Sequence, residues 1–315
     1  MADLSVTLGP LRLKNPVLTA SGTFGYGREY EDFVNLNRLG GIITKSITRD
    51  PRAGNPPPRI TEVPGGMLNS IGLANVGMEA FVREKLPYLR NLETQIIVNV
   101  AGNSVEEYEA VVSRLDREKG IHAFELNLSC PNVKEGGLTF GKSPEAVFKI
   151  VERVRLHTNR PLIVKLTPNV TAIGDLAQAA VDGGADILSA INTVMGMAVD
   201  VSARKSVLGK MTGGFSGPAL KSIALAKVFE VVRRVSVPVI GIGGIFSAED
   251  VLEFLLVGAS AVQIGTANFV DPAISEKVVN DLEIYCEKQG IEDLEEIIGK
   301  LDVDGAGGDG NKNRL

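Results

Sequence analysis

The stretch Asn127-Leu128-Ser129-Cys130-Pro131-Asn132 combines one thiol with amide and hydroxyl side chains that can hydrogen-bond a polar ligand. It follows the apolar run Ala123-Phe124-Glu125-Leu126, whose alternation is strand-like. Proline cannot donate to a sheet ladder, so we expect the strand to end at about Ser129. A cysteine just beyond a strand end can act as a base or nucleophile if its surroundings favour the thiolate. The alternative is a buried, inert cysteine that packs as a small hydrophobe.

Two lysines occupy positions where an apolar residue would be expected. Lys165 lies within Ile163-Val164-Lys165-Leu166, and Lys45 closes Gly41-Ile42-Ile43-Thr44-Lys45. Because lysine is seldom fully buried without a partner, both side chains are predicted to point into a polar cavity that holds an anion. An exposed strand end or a structural ion pair is the alternative.

Glycine-rich turns follow the last two apolar runs of the chain. Gly241-Ile242-Gly243-Gly244 and Gly265-Thr266 stand where barrel enzymes commonly bind phosphate, because bare glycine backbone lets N–H groups approach an anion. Plain turn glycines are the alternative. Phe246 replaces the third glycine of a dinucleotide fingerprint, which argues against a Rossmann site.

The segment from Gly136 to Ser143 matches the phosphate-loop pattern GxxxxGK[ST], but its context is wrong. A genuine phosphate loop joins its strand directly to its helix, whereas Cys130 to Glu135 intervene here and Pro144 marks the helix start. We therefore interpret this segment as a mobile loop that covers Cys130, not as a nucleotide-hydrolysis site.

Eight short runs rich in Ile and Val must position these residues, and most are followed by an amphipathic segment. Ser104, Ser143 and Ser247 are predicted helix N-caps. This alternation predicts a (β/α)8 barrel, with a doubly wound open sheet as the alternative. The predicted strands are Val17–Ala20, Gly41–Lys45, Gln95–Val100, Ala123–Leu128, Leu162–Leu166, Ile187–Ile191, Val237–Ile242 and Ala261–Ile264.

Two connections are unusually long and contain many Gly or Pro residues. Thr48 to Asn75 and Thr193 to Gly217 both leave the C-terminal end of a predicted strand, the side on which barrel enzymes place their active sites. Segments of this length are usually functional lids or disordered. We expect residues 1–301 to form a single barrel domain and the Gly- and Asp-rich tail 302–315 to be disordered.

Composition narrows the functional classes. The chain has 315 residues, 44% of them hydrophobic, and a net charge of −5, so it has a large core and no basic surface for nucleic acid. Two cysteines and two histidines, without a CxxC or HExxH motif, predict no metal site. Asp3 stands where a signal peptide would be basic, and no apolar run approaches the ~18 residues of a membrane span, so we expect a cytoplasmic protein.

With these residues assembled, the chain resembles the FMN-dependent dihydroorotate dehydrogenases from about Leu4 to about Gly299. Each matching stretch is weak alone, and together they are highly specific. They are Thr44-Lys45-Ser46-Ile47-Thr48, Gly54-Asn55-Pro56-Pro57-Pro58-Arg59, Asn69-Ser70-Ile71-Gly72-Leu73, Asn127-Leu128-Ser129-Cys130-Pro131-Asn132 and Gly241-Ile242-Gly243-Gly244.

The resemblance implies oxidation of dihydroorotate to orotate in pyrimidine biosynthesis, with catalytic roles for Cys130, Lys45 and Lys165. Cys130 would take the C5 proton as general base while a hydride passes from C6 to FMN, and Lys165 would stabilise negative charge on the reduced flavin. FMN would be held by Ser21, Lys45, Ser46, Asn99, Asn127, Lys165, Ile191, Gly217, Gly243, Gly244, Gly265 and Thr266. The substrate would be held by Lys45, Asn69, Ser70, Ile71, Gly72, Leu73, Asn127, Asn192 and Thr193.

The subclass is also indicated. Val133-Lys134-Glu135-Gly136-Gly137 and Ser216-Gly217-Pro218-Ala219 look like the NAD-linked type, whose partner subunit carries FAD and a 2Fe–2S cluster and joins a homodimer of the catalytic chain into a heterotetramer. Ser206 and Ser222 depart from that type, which has proline at both positions. The alternatives are a fumarate-linked homodimer, a flavin dehydrogenase of another dihydropyrimidine, and a non-redox barrel that binds a phosphate ligand.

Overall fold

All eight apolar runs become parallel strands of one closed barrel in the computed structural model of the chain, which describes residues 2–128, 134–135 and 138–303. Strand neighbours follow chain order, and pairing of the last strand with the first closes the ring. The predicted (β/α)8 barrel is therefore confirmed, and the open-sheet alternative is wrong. The strands are β1 Val17–Thr19, β2 Gly41–Ile43, β3 Gln95–Val100, β4 Ala123–Asn127, β5 Leu162–Leu166, β6 Ile187–Ala190, β7 Val239–Ile242 and β8 Ala261–Ile264.

Helices surround the barrel and bury their apolar faces against it. The connection between β1 and β2 has only the short 3-10 turns Arg28–Tyr30 and Leu36–Arg38 in place of a helix. The helices are α1 at 78–89, which contains a π turn at Phe81–Lys85, α2 Val105–Leu115, α3 Pro144–Arg155, α4 Ile173–Asp182, α5 Lys221–Arg234, α6 Ala248–Leu256, α7 Ala267–Val270 and α8 Ile274–Gln289.

The three predicted serine caps are confirmed. The Ser104 hydroxyl accepts from Glu107 N at 3.4 Å, Ser143 from Ala146 N at 3.4 Å, and Ser247 from Asp250 N at 3.2 Å. Each contact satisfies a backbone donor that the first helical turn leaves free. Pro144 is the first residue of α3, as expected.

The two long connections contain regular structure that the sequence did not predict. Strands Ile60–Val63 and Gly66–Asn69 from the first, with Val194–Gly196 and Gly213–Ser216 from the second, form a four-stranded antiparallel sheet. We call it the accessory sheet. It stands at the C-terminal mouth of the barrel, since both connections leave that end of their strands.

The N-terminal mouth is closed by a hairpin of Val6–Leu8 and Leu11–Leu13. Leu8 and Leu13 are fully buried and pack with inward-facing residues such as Ile97 and Ile163 in an apolar cluster at the floor of the barrel. The barrel interior is therefore apolar at one end, which leaves polar ligands the other end. In the described part of the chain, no helix is long and apolar enough to cross a membrane.

Candidate active site

A cavity of about 680 Å³ opens at the C-terminal mouth, roofed on one side by the accessory sheet. Strand ends supply its deep wall: Ser21 follows β1, Lys45 follows β2, Asn127 ends β4, and Lys165 lies within β5. The volume falls within the range of about 300–1,000 Å³ that is usual for cofactor and small-molecule sites.

The charge of the cavity is one-sided. Its lining includes Lys45, Arg52, Lys142, Lys165 and Lys210, and none of the described residues that line it is an aspartate or glutamate. Since the whole chain carries a net charge of −5, this segregation marks a site for anionic ligands.

Most residues predicted from sequence to bind a ligand come together here. Every one of them within the described residues lines the cavity except Asn99. Asn99 lies deeper, fully buried, with its Nδ2 donating to Glu125 Oε2 at 2.6 Å. Cys130 lies outside the described residues. The lining residues from the two predicted sets are Ser21, Lys45, Ser46, Asn69, Ser70, Ile71, Gly72, Leu73, Asn127, Lys165, Ile191, Asn192, Thr193, Gly217, Gly243, Gly244, Gly265 and Thr266.

A line of amide and hydroxyl groups crosses the wall of the cavity. Asn127 Nδ2 donates to Ser46 Oγ at 3.5 Å, and Asn127 Oδ1 accepts from Asn192 Nδ2 at 3.1 Å. The Asn192 Oδ1 atom in turn accepts from the backbone N–H of Thr193 at 2.7 Å. These contacts join the ends of three barrel strands, so the amide orientations depend on one another.

The segment from Asn69 to Leu73 presents a polar atom whose hydrogen-bonding capacity is unused. Ser70 Oγ is buried and makes no hydrogen bond with another described residue. Leu73 has a φ of 57°, which a non-glycine residue rarely adopts. Unsatisfied buried groups and strained backbone concentrate at ligand sites, so this segment is a candidate binding surface.

Close packing requires glycine at two positions of the cavity wall, Gly244 and Gly217. Gly244 has a φ of 71°, and a Cβ there would lie 2.6 Å from the backbone nitrogen of Lys221 at the start of α5. Gly217 has a φ of 129°, and a Cβ would lie 2.4 Å from the Cα of Gly66 in the accessory sheet. A side chain at Gly244 would disrupt the turn where we predicted a phosphate to bind, and one at Gly217 would collide with the accessory sheet.

The two predicted lysines differ in their surroundings. Lys165 is 5% exposed; its Nζ donates to Gln263 Oε1 at 3.2 Å and lies 4.0 Å from Glu125 Oε2. It therefore faces the cavity and also approaches a carboxylate, which combines the two alternatives that the sequence left open. Lys45 is half-buried, and burial, reinforced by the nearby Arg59 guanidinium, lowers its pKa, with Glu29 opposing this shift.

Several lining residues were not found from the sequence. Arg52 and Lys210 come from the two long connections, and Asn169 follows β5, where its Nδ2 donates to Thr193 O at 3.0 Å. Lys142 and Gly141 belong to the segment dismissed as a phosphate loop. Gly136 and Gly137 of that segment lie outside the described residues. So does Cys130, which the segment was predicted to cover. The only signal for these residues in the sequence is that their segments leave the C-terminal ends of the strands, where barrel enzymes place their active sites.

Comparison with known proteins identifies the family. The family model described as dihydroorotate dehydrogenase matches residues 3–285. The chain belongs to the dihydroorotate dehydrogenase family. It is 54% identical over 299 residues to a protein of Geotalea uraniireducens (strain Rf4) named dihydroorotate dehydrogenase B (NAD(+)), catalytic subunit, covering 95% of this chain and 98% of the relative. A Geobacter metallireducens protein of the same name is 54% identical over 301 residues, covering 96% of this chain and 99% of the relative.

Family membership makes the chain an oxidoreductase and implies a bound flavin. The cavity fits such a ligand in three respects. None of the described residues that line it is a carboxylate, and Gly217, Gly243 and Gly244 leave no room for side chains. Ser70 Oγ has no hydrogen-bond partner among the described residues. Asn99 Oδ1, buried just below, likewise has no partner among the described residues. A flavin phosphate and ring could use all of these features.

Proposed function

We propose that the chain is the catalytic subunit of an NAD-linked dihydroorotate dehydrogenase, which uses FMN to oxidise dihydroorotate to orotate in pyrimidine biosynthesis. The observation that carries the proposal is the cavity lined by five cations and, among the described residues, no carboxylate. The reaction requires two anions in one place, the phosphate of FMN and the carboxylate of the substrate. The family and the names of its relatives support this pairing.

The phosphate end of the cofactor is assigned to the turns after β7 and β8. Gly243 and Gly244 come from the first turn, and Gly265 and Thr266 from the second. Thr266 Oγ1 donates to Ser216 Oγ at 2.8 Å, which joins this wall to the accessory sheet. Phosphate binding by these two loops is the common arrangement in barrel enzymes.

The substrate carboxylate is assigned to the region between Lys45 and the Asn69–Leu73 segment. Lys45 supplies charge, while Asn127 and Asn192 supply directional hydrogen bonds on the same wall. Such contacts hold the ring in one orientation, which is what proton and hydride removal from adjacent carbons require. Bound FMN supplies the hydride acceptor.

Cys130 is proposed as the general base that takes the C5 proton. The assignment rests on the family resemblance of the stretch Asn127 to Asn132, in which Cys130 follows the end of β4 by three residues. A free thiol titrates near ~8.5, so a modest shift would make it an effective base near neutral pH.

Electron delivery to NAD is assigned to a separate subunit. The relatives are named catalytic subunits and NAD(+)-linked, and this chain has two cysteines, fewer than the four that usually hold a 2Fe–2S cluster. We infer that the partner carries FAD and the 2Fe–2S cluster and joins a homodimer of this chain into a heterotetramer. Mass measurement of the chain, alone and with its partner, tests the assembly.

Anaerobic mixing of the purified chain with dihydroorotate tests the proposed reaction. We expect the flavin absorbance to bleach, and reoxidation by NAD only when the partner subunit is present. Reoxidation by fumarate without the partner would overturn the NAD link. Bleaching by dihydrouracil and not by dihydroorotate would overturn the substrate, and a protein that stays colourless with added FMN would overturn the flavin.

Replacing the proposed base tests the assigned chemistry. Cys130→Ala should slow flavin reduction by dihydroorotate at neutral pH by about 10²- to 10⁴-fold, the usual contribution of a general base, with FMN still bound. The matched control is Cys286→Ala, since Cys286 is buried in α8 away from the cavity lining and should not affect the rate. Full activity in the Cys130 variant would remove it from the mechanism.

A further inference from the structure

A layer of polar side chains crosses the barrel interior between the apolar floor and the cavity. It consists of Asn99, Glu125, Lys165, Ser189 and Gln263, contributed by five different strands, and each is at most 5% exposed. Along each strand these residues stand two positions after an apolar floor residue, as Glu125 stands after Ala123, so they share its inward face. We call these five residues the polar layer.

Glu125 is the centre of the polar layer. Its Oε1 accepts from Ser189 Oγ at 2.8 Å and from Gln263 Nε2 at 2.5 Å, while its Oε2 accepts from Asn99 Nδ2 at 2.6 Å. Three donors therefore converge on one fully buried side chain, which is the pattern that a carboxylate requires and a neutral amide cannot satisfy.

Through Gln263, Glu125 governs the contact of a cavity lysine. The Gln263 amide has two different ends: its Nε2 donates to Glu125, and its Oε1 accepts from Lys165 Nζ at 3.2 Å. Turning this amide over would direct an N–H group at the lysine ammonium. Because the carboxylate can only accept, it fixes the orientation that suits Lys165.

The same carboxylate fixes the orientation of Asn99. Because Asn99 Nδ2 is committed to Glu125, Asn99 Oδ1 is left as a buried acceptor with no partner among the described residues. Buried acceptors without a partner are rare in proteins, so this atom points to a donor that a ligand would bring.

We propose that Glu125 is a positioning residue for the flavin: it fixes Lys165 through Gln263, fixes Asn99 directly, and places a negative charge 4.0 Å from the Lys165 ammonium. This inference rests on the proposed function, because it assumes that the ligand held by Lys165 and Asn99 is FMN. Glu125 itself does not line the cavity and touches no reacting atom.

Glu125→Gln is the sharpest test because it changes charge and hydrogen-bonding direction with almost no change in shape. The new amide nitrogen would face donors, so Asn99 or Gln263 must turn over. On dilution of the purified holoprotein, we expect FMN to dissociate about tenfold faster than from the wild type, which is the factor for one misplaced hydrogen bond to a charged group. We also expect the visible spectrum of the bound flavin to shift. The release is followed by the rise in flavin fluorescence.

Ser189→Ala is the matched control. Ser189 is fully buried, and its replacement removes one hydrogen bond that Glu125 accepts. Asn99, Gln263 and Lys165 keep their contacts. We expect FMN release and spectrum close to those of the wild type. Equal effects of both substitutions would mean that the polar layer only supports the fold, which would overturn the inference.

The exchange variant Glu125→Gln/Gln263→Glu provides a rescue. It keeps one carboxylate in the layer, and that carboxylate could accept from both Lys165 and the new amide at 125, so FMN retention should recover.

If Glu125→Gln does not fold, Gln263→Met, which breaks the link to Lys165, should reproduce the faster release. If FMN leaves the Glu125 or the Gln263 single variant at the wild-type rate, the role of Glu125 is overturned and the proposed function stands. If the wild-type chain takes up no FMN, both the proposed function and the role of Glu125 are overturned.

Discussion

At the scale of single residues, the cations and the carboxylates near the cavity differ in their access to it. Lys45 and Lys165 line the cavity, while Glu125, 4.0 Å from Lys165, and Glu107, 3.3 Å from Arg52, are not among its lining residues. An arrangement of this kind keeps the cations available to an anionic ligand and still compensates Lys165. It explains how an acidic chain can hold an anion site.

Lys45 gives orotate binding a pH dependence of known sign. Burial and the Arg59 guanidinium lower its pKa from the ordinary value of 10.5, with Glu29 opposing them, and the substrate carboxylate binds the charged ammonium. Orotate affinity should therefore fall as the pH rises through this lowered pKa. Titration of the flavin absorbance with orotate across the alkaline range measures it.

Two variants isolate the contribution of Lys45. Lys45→Arg keeps its charge throughout this range, so the part of the fall that comes from Lys45 should disappear. Arg59→Ala removes a charge that lowers the pKa of Lys45, so the fall should move to higher pH. A move to lower pH in the Arg59 variant would contradict this account.

At the scale of elements, the accessory sheet is the feature that the sequence concealed. Its strands pair across the two long connections, with Gly214 opposite Asn69 and Phe215 opposite Leu68, at separations of about 145 residues. Short Gly-rich strands of this kind have weak local signals and form because a distant segment pairs with them. Composition alone therefore predicted functional lids or disordered segments where the structure has a sheet.

Asn75 holds the segment that we assign to the substrate. Its Nδ2 donates to Thr48 Oγ1 at 2.8 Å and to Leu73 O at 2.7 Å, and its Oδ1 accepts from the backbone N–H groups of Thr48 and Gly77 at 3.2 and 2.8 Å. Because it lies outside the cavity lining, it acts on the ligand through the segments that it holds, which include Leu73 in its left-handed conformation. Asn75→Ala should weaken orotate binding by about tenfold while FMN content stays unchanged.

Asn75→Asp serves as a second variant in the same orotate titration. The carboxylate keeps the two acceptor contacts to Thr48 and Gly77, but it places an oxygen against Leu73 O, to which the amide donated, so its effect should be at least as large as that of alanine. Loss of FMN in either variant, or wild-type orotate affinity in Asn75→Ala, would show that this side chain does not position the substrate segment.

At the scale of the whole molecule, the barrel was predictable, and the hydrogen-bond network that Glu125 and Gln263 form in its polar layer was not. Eight Ile- and Val-rich runs gave every barrel strand to within two residues at either end, because parallel strands buried on both faces have few other compositions. Lys45 and Lys165 were found because they interrupt such runs. Glu125 and Gln263 interrupt such runs too. Their importance depends on a contact between residues 138 positions apart in the chain, and hydrophobic periodicity and composition do not encode such a contact.

The closed floor of the barrel leads to a prediction about where stability resides. Leu13 is fully buried in the hairpin that closes the N-terminal mouth, where it packs with floor residues and lies at the opposite end of the strands from the cavity. Leu13→Ala should lower the free energy of unfolding by about 2–5 kcal/mol, because it removes buried methyl groups and leaves a void that the rigid strands cannot fill. The spectrum of bound FMN should stay unchanged, since the polar layer separates the floor from the cavity.

Leu156→Ala is the matched control, because Leu156 is 73% exposed at the end of α3 and its truncation should change the free energy of unfolding by less than about 0.5 kcal/mol. Urea unfolding of the holoprotein, followed by backbone circular dichroism and flavin fluorescence together, measures both variants. A Leu13 effect as small as that of Leu156 would mean that the hairpin contributes little to the closed barrel. Release of FMN at lower urea than the loss of backbone signal, in the Leu13 variant alone, would mean that the floor transmits its disturbance through the polar layer to the cavity.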